Sequence, residues 1–543
     1  MIAKFYGAAA LMLMLSAGAA RADGPYQHVL LLSIDGLHGA DITDPAVAPY
    51  IPDILDLANH GITYSNAYAV KPTDNFPNMI AQVTGAGPKT SGIYYDETYR
   101  RSYYPAFSPP NAPAGATAAW TGAIDKNSSL INGGGNSDAS SIDPNSLPLV
   151  KVNGVLQPVY PHNDLKVNTV FEVAHNAGLR TAYIDKHPSY EIVSGPSGTG
   201  LDDFYGPESD AKAKLALDGT LIDATVTGTT KGLTQISKSI SLSEAYDDMR
   251  VDALVNQING ETSRGLPAPG APALFGLSFI SVNTAEKDTS VGGIDNFGSG
   301  NIVNSGLADA LSRTNSSVNR VVSALKTSGL YDSTLIVLTA KHGQSPRVGA
   351  AVNESTELVV ATLGPAGIPV LKTTDDDVSL VWLADSSQAQ AAKDKLLERQ
   401  GQFIDKVLIG SDLTAAGLGT PANDDRAADL VVIYKQGILL GSNKRGEHGG
   451  FSEDDSHIAL ILGGNIPANL QGTIQDGNVL DTQIAPTMLE ALGLDPSLLQ
   501  GAVIDGTSDL PGTGIAVPEP ASLGIGILMA GFALLRRSRY RAA

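Results

Sequence analysis

The run His28-Val-Leu-Leu-Leu-Ser-Ile34, followed at once by Asp35-Gly36, constrains this chain more than any other segment. A short stretch so dominated by aliphatic side chains reads as a strand buried on both faces, the pattern of a parallel sheet covered by helices. Its end places a carboxylate at the carboxyl edge of that sheet, where open α/β folds bind ligands. Further apolar runs lie at Thr181–Asp185, Leu274–Val282, Thr334–Ala340 and His457–Leu462, with helical patterns at Asp53–His60 and Asn78–Thr84. This alternation predicts an α/β fold with a mostly parallel central sheet and helices on both faces.

The net charge of −20 argues against an extended groove for a nucleic-acid duplex. A small anionic substrate would need a local cationic pocket. With no cysteine, disulfides, thiol catalysis and cysteine-based zinc sites are excluded. Met1–Ala22 has Lys4, an apolar stretch through Leu15 and then Ala20-Arg-Ala22, the pattern of a secretory signal removed by signal peptidase. At the other end stand Val517-Pro-Glu-Pro520, an apolar run from Ala521 to Leu535, and Arg536-Arg-Ser-Arg539. The run falls somewhat short of the ~20 residues a spanning helix prefers; anchoring through 521–535 is expected to be transient. This tripartite tail resembles the PEP-CTERM sorting signal of Gram-negative bacteria. The resemblance implies processing by an exosortase and export across the inner membrane, to the cell surface or extracellular matrix; a simple tail anchor is the alternative. The body is then residues 23–512, with a linker and sorting tail at 513–543. Two segments read as insertions that cap the site. The first, about 95–163, is rich in Gly, Pro, Ser and Asn with little periodicity. The second, about 347–445, has a β-β-α-β pattern at Glu357–Leu363, Val378–Leu383, Ser387–Arg399 and Asp429–Ile433.

Three further segments belong with Asp35: Thr73-Asp-Asn-Phe-Pro-Asn78, Thr339-Ala-Lys-His-Gly-Gln-Ser-Pro346 and Glu447-His-Gly-Gly-Phe451. As a set they resemble the active-site skeleton of the alkaline phosphatase superfamily, in its type I phosphodiesterase/nucleotide pyrophosphatase branch. That resemblance implies an alkaline-phosphatase-like sandwich and a hydrolase of small anionic phosphoesters. It also implies two zinc ions, at the roughly 4 Å spacing of two-metal phosphoryl chemistry. Asp35, His342 and His448 match metal ligands of the family. Asn75 stands where the family carries its nucleophilic Thr or Ser, and Lys341 where an Asp precedes His-Gly. Asn283 and Lys287 are the match to an Asp-x-x-x-His ligand pair. Asn78 opens a helix whose N-terminus suits an anion, and Lys186-His187 reads either as a pair lining the site and binding substrate or as a strand cap. Asp185-Lys-His-Pro-Ser-Tyr190 and Thr482-Gln-Ile-Ala-Pro486 look like a divergent bacterial and fungal group within the family.

Asn is a poor nucleophile and a weak zinc ligand, and protonated Lys is no ligand, so an intact zinc pair is not expected. Two zinc ions against three aspartates leave one positive charge; Lys287 and Lys341 against Asp35 leave the same. Ammonium groups would then stand near where metals stood. The attacking group is left open among a water activated by His342 or His448, the Thr73 hydroxyl, and the Asp74 carboxylate. Two functions follow: an exported phosphoester hydrolase with a metal-poor site, or a catalytically decayed surface protein that binds an anion on the same scaffold. Bland roles remain for single residues: Asn75 is a good helix cap, and a lone His is more often structural.

Overall fold

The computed structural model describes residues 24–295, 300–347, 358–440 and 444–515. The predicted leader at 1–22 and the sorting motif at 517–539 lie outside the described residues. Eight strands form the central sheet in the order Thr473–Gln475, Ile62–Tyr64, Leu460–Gly464, Thr334–Thr339, His28–Ile34, Leu274–Phe279, Thr181–Ile184, Asp203–Tyr205. Leu460–Gly464 runs antiparallel to both neighbours, and the other pairs are parallel. Val29–Ile34 and the whole of Leu274–Phe279 and Thr334–Thr339 are buried. Each buried aliphatic side chain contributes about 1.5–3 kcal/mol of transfer energy.

Register decides what the strand ends can reach. Ser33 pairs with Thr339 on one side and Ser278 on the other, and Leu277 with Ile184. Four strands therefore finish at one level, and the residues after them share one edge. The Leu274–Val282 run is split there: the strand stops at Phe279 and a helix, Ser281–Lys287, takes over. Helices Pro52–Asn59, Ile240–Ile258 and Ser305–Thr327 pack as one group, and Asn75–Thr84, Val170–Asn176 and Ile484–Ala491 as another. Among the described residues no helix is long and apolar enough to cross a membrane.

Both insertions carry more structure than their sequences suggest. Residues 95–163 contain two short hairpins, Glu97–Arg100 with Ala116–Ala119 and Leu149–Val152 with Val155–Pro158. Buried Asp164 ties the segment down, accepting from Arg100, from the Tyr103 hydroxyl at 2.8 Å and from the Trp120 indole at 3.1 Å. In the second insertion the order Val370–Asp375, Val378–Leu383, Leu430–Tyr434, Ile404–Ile409 makes an antiparallel sheet. Leu358–Leu363, expected as a strand, is a helix. One face of this sheet packs on Leu396 and Leu363; the other packs on Tyr94 and Tyr95 beside the main site.

Candidate active site

Asp35, fully buried, accepts from Lys186 Nζ at 3.1 Å and lies 3.4 Å from Lys341 Nζ. The two lysines come from different strand ends, one after Thr181–Ile184 and one after Thr334–Thr339. Lys341 Nζ also reaches both oxygens of Asp185 at 3.4 Å and the Ser278 hydroxyl at 3.2 Å, and sits 4.9 Å from the centre of the Tyr190 ring. Asp185 in turn accepts from Ser278 Oγ at 2.6 Å and from the Lys186 backbone N–H at 2.8 Å. Two carboxylates and two ammonium groups thus form one closed network. Burial works against ionising Asp35, but Lys341 and Lys186 outweigh it and hold its carboxyl below the usual value.

Asn75 is the meeting point of the site. It opens the helix Asn75–Thr84, whose cap is Asp74, accepting from the Phe76 N–H at 3.2 Å. Its Oδ1 accepts from Lys186 Nζ at 2.7 Å and lies 3.1 Å from His342 Nε2; its Nδ2 lies 3.4 Å from His448 Nε2. The two imidazoles stack with centroids 3.7 Å apart, and His342 Nδ1 lies 2.7 Å from the Gly343 carbonyl. Burial pushes His342 down to about 3 against the pull of Asp35. Burial, then His342 and nearby lysines, push His448 well below an ordinary imidazole. Both rings are therefore neutral at pH 7. His448 Nδ1 is buried without a hydrogen-bond partner. Beside it Glu447 pairs with Lys287 and with Lys444. Burial opposes its charge, but the two lysines hold it down to about 2.

These groups face a cleft of about 600 Å³ whose lining includes Asn75, Lys186, Lys287, Lys444 and His448. Asp35, Asn75, Lys186, Lys341, His342 and His448 are thus brought together as expected. Other expectations need correction. Thr73 is no candidate nucleophile: its fully buried hydroxyl donates to the Gly450 carbonyl at 3.1 Å and accepts from the Gly449 N–H at 3.3 Å. The Asn78 amide is spent on the Asp74 and Pro72 carbonyls, at 2.8 and 3.2 Å, and does not line the cleft. Lys287 does not stand at Asp35; it pairs with Glu447, and the second ammonium at Asp35 is Lys186. His187 lies on the cleft wall with Nδ1 2.7 Å from Glu208 Oε1. Asp185, Ser278 and Lys444 were missed. The signal for Asp185-Lys186 was present, since it follows a buried strand just as Lys341-His342 does.

The family profile for type I phosphodiesterase / nucleotide pyrophosphatase matches residues 29–455. The chain belongs to that family. Among solved structures it is similar to murine ectonucleotide pyrophosphatase / phosphodiesterase 5, at 13% identity and a TM-score of 0.55, over 87% of this chain and 96% of that one. The human protein of the same name aligns at 12% identity and a TM-score of 0.54, over 86% and 95%. An inactive variant of the murine protein in complex with AMP aligns at 13% and 0.52, over 86% and 96%. At such identity these likenesses establish the fold alone. A search of curated proteins found no match.

Members of the family typically depend on zinc, and the donor set here does not fit a pair of zinc ions at Asp35. A metal there would need the space between Asp35 Oδ2 and Asn75 Oδ1, which Lys186 Nζ bridges. A second cation, Lys341, lies against the same carboxylate oxygen. At the match to the other ligand pair stand Asn283 and a lysine committed to Glu447. Ammonium groups supply the positive charge that Asp35 requires.

Proposed function

We propose that the protein is an exported phosphoester hydrolase that holds its substrate's anion with lysine ammonium groups. The observation that carries this reading is Lys186. Its ammonium has three N–H donors; Asp35 and Asn75 take two, and the side chain lines the cleft, so one donor remains for a phosphate oxygen. Lys287 and Lys444 add positive charge at the same cleft. Positioning and electrostatic stabilisation supply most of phosphoryl transfer, so this arrangement can work without a covalent nucleophile.

In this reading water attacks phosphorus and gives its proton to His448, which is neutral and faces the cleft. The ester oxygen leaves and takes a proton from solvent, while Lys186 stabilises the charge on the phosphoryl oxygens. A second reading is favoured by one observation: the Asn75 carbonyl is already occupied by Lys186, and no nucleophile stands in its place. In that reading the scaffold binds an anion without turning it over. The murine relative's complex with AMP makes nucleotide esters natural substrates to try beside bis-p-nitrophenyl phosphate. Turnover that is lost on His448→Gln supports the hydrolase. Binding of AMP without turnover, with some turnover gained on Asn75→Ser, supports the anion binder. Two stoichiometric zinc ions that leave on Asp35→Asn would overturn the ammonium reading.

Export rests on the leader at Met1–Ala22 and the tail from Val517 to Arg539. It predicts a mature chain beginning near Asp23 and lacking the basic cluster, which mass spectrometry of the surface or secreted fraction would detect.

A further inference from the structure

The wall of the cleft next to Lys186 holds a second cluster of ionisable groups that the hydrolytic reading does not use. His187, Glu208 and Asp210 each offer a ligand atom, and the three atoms lie within 4.8 Å of one another. Glu208 Oε1 lies 2.7 Å from His187 Nδ1 and accepts from the Asp210 N–H at 2.7 Å. Asp210 is oriented by Gln235 Nε2 at 2.7 Å and Ser237 Oγ at 2.9 Å, both on Oδ1. That is how a ligating carboxylate is usually steadied from behind.

An independent observation points inward. Asp125, from the first insertion, is 8% exposed and faces Glu208; apart from a proton shared between these two carboxyls, Asp125 Oδ1, Asp125 Oδ2 and Glu208 Oε2 have no hydrogen-bond partner, on residues almost without exposed surface. Two glycines let the backbone pack closely against these oxygens. A Cβ on Gly133 would come within 2.9 Å of Asp125 Oδ2, and one on Gly122 within 3.0 Å of the Glu208 carboxyl. Burying carboxylate oxygens without donors costs several kcal/mol unless a proton or a cation joins them. Three carboxylates and one imidazole are short of positive charge even when the imidazole is protonated.

We propose that His187, Glu208 and Asp210, with the Asp125 carboxyl set behind Glu208, form a divalent-cation site on the cleft wall. One imidazole among carboxylates suits Mn²⁺ or Zn²⁺ better than Ca²⁺ or Mg²⁺, which prefer oxygen alone. The position is distinct from that of the family's zinc pair, because Asp35 and both lysines on it take no part.

The test is binding, so it does not depend on turnover. The full chain, stripped with chelator, is titrated with MnCl₂ and with ZnCl₂ by calorimetry. One equivalent is expected, weakened about tenfold or more by Asp210→Asn and unchanged by Asp35→Asn. Asp210 is partly exposed, and its amide keeps the shape, so this variant is expected to fold. Pulsed electron paramagnetic resonance of the Mn²⁺ form gives a readout without mutation: coupling to one imidazole nitrogen is expected. No bound equivalent, no nitrogen coupling, or binding lost on Asp35→Asn and kept on Asp210→Asn would each overturn the site. The first of these outcomes leaves Asp125 and Glu208 sharing a proton.

Discussion

The floor and the wall of the cleft face the same electrostatic problem and answer it differently. On the floor, Asp35 and Asp185 are matched by Lys186 and Lys341, each with an ammonium within 3.4 Å, and only Asp35 Oδ1 of their four oxygens has no hydrogen-bond partner. On the wall, Asp125, Glu208 and Asp210 share one imidazole, and three carboxylate oxygens have no donor beyond a proton shared between Asp125 and Glu208. The contrast teaches that charge balance, and not the mere presence of Asp and His, decides where a metal has reason to bind. A floor already neutral gains little from a cation; a wall with excess negative charge gains much.

The largest expected effect breaks the floor's balance. Lys341→Met removes one ammonium from two buried carboxylates while keeping the volume. Because the uncompensated charges stay buried, the loss should be about 3–5 kcal/mol in chemical denaturation. A loss under about 1 kcal/mol would show that the floor is not the matched network described. Next in size, Lys186→Gln keeps a donor near Asn75 but no charge. Losing one charge-assisted hydrogen bond to a phosphate oxygen should weaken AMP binding about ten- to hundredfold. Unchanged affinity would move anion recognition to Lys287 and Lys444.

Much of this floor was legible in the sequence, for a physical reason. Asp35, Lys341, His342 and His448 each sit one to three residues beyond an apolar run or in a His-Gly turn, and sheet register then fixes where they project. Lys287 shows the limit. Leu274–Val282 reads as one run, but the strand ends at Phe279, and a helix carries Lys287 toward Glu447. Nothing local to Lys287 records that change of direction. Thr73 fails for a similar reason: the helix begins at Asn75, and the residue before its cap turns its hydroxyl toward Gly449 and Gly450. The wall was not legible as a site, since Asp125 reaches Glu208 from an insertion whose fold depends on the buried contacts of Asp164.

The pH profile sharpens the comparison, because it separates a buried base from an exposed one. His448 accepts a proton only when neutral, and burial holds its folded value well below 6.5. The sign is definite: a lowered value keeps the base competent at lower pH. Between pH 7.5 and 5.5, kcat/KM should fall by much less than the about tenfold that an ordinary imidazole would cost. A tenfold fall would point to a solvated base instead.

The smallest effect is expected on the wall, and its smallness is the point. Without metal, burial and then Glu208 push Asp125 up to about 10, so at pH 7 it carries a proton and already behaves as a neutral donor. Asn has the same shape and can donate from its amide. Asp125→Asn should therefore change the stability of the chelator-treated protein by less than about 1 kcal/mol, well below the Lys341→Met loss. The same substitution should reduce the stabilisation that Mn²⁺ gives the unmodified chain, since a neutral amide cannot give up a proton and add negative charge behind Glu208. If Asp125→Asn instead destabilises the metal-free protein by several kcal/mol, Asp125 is an ionised partner in a structural network. The wall would then resemble the floor, with a positive group at Asp125 that the balance of charges does not show.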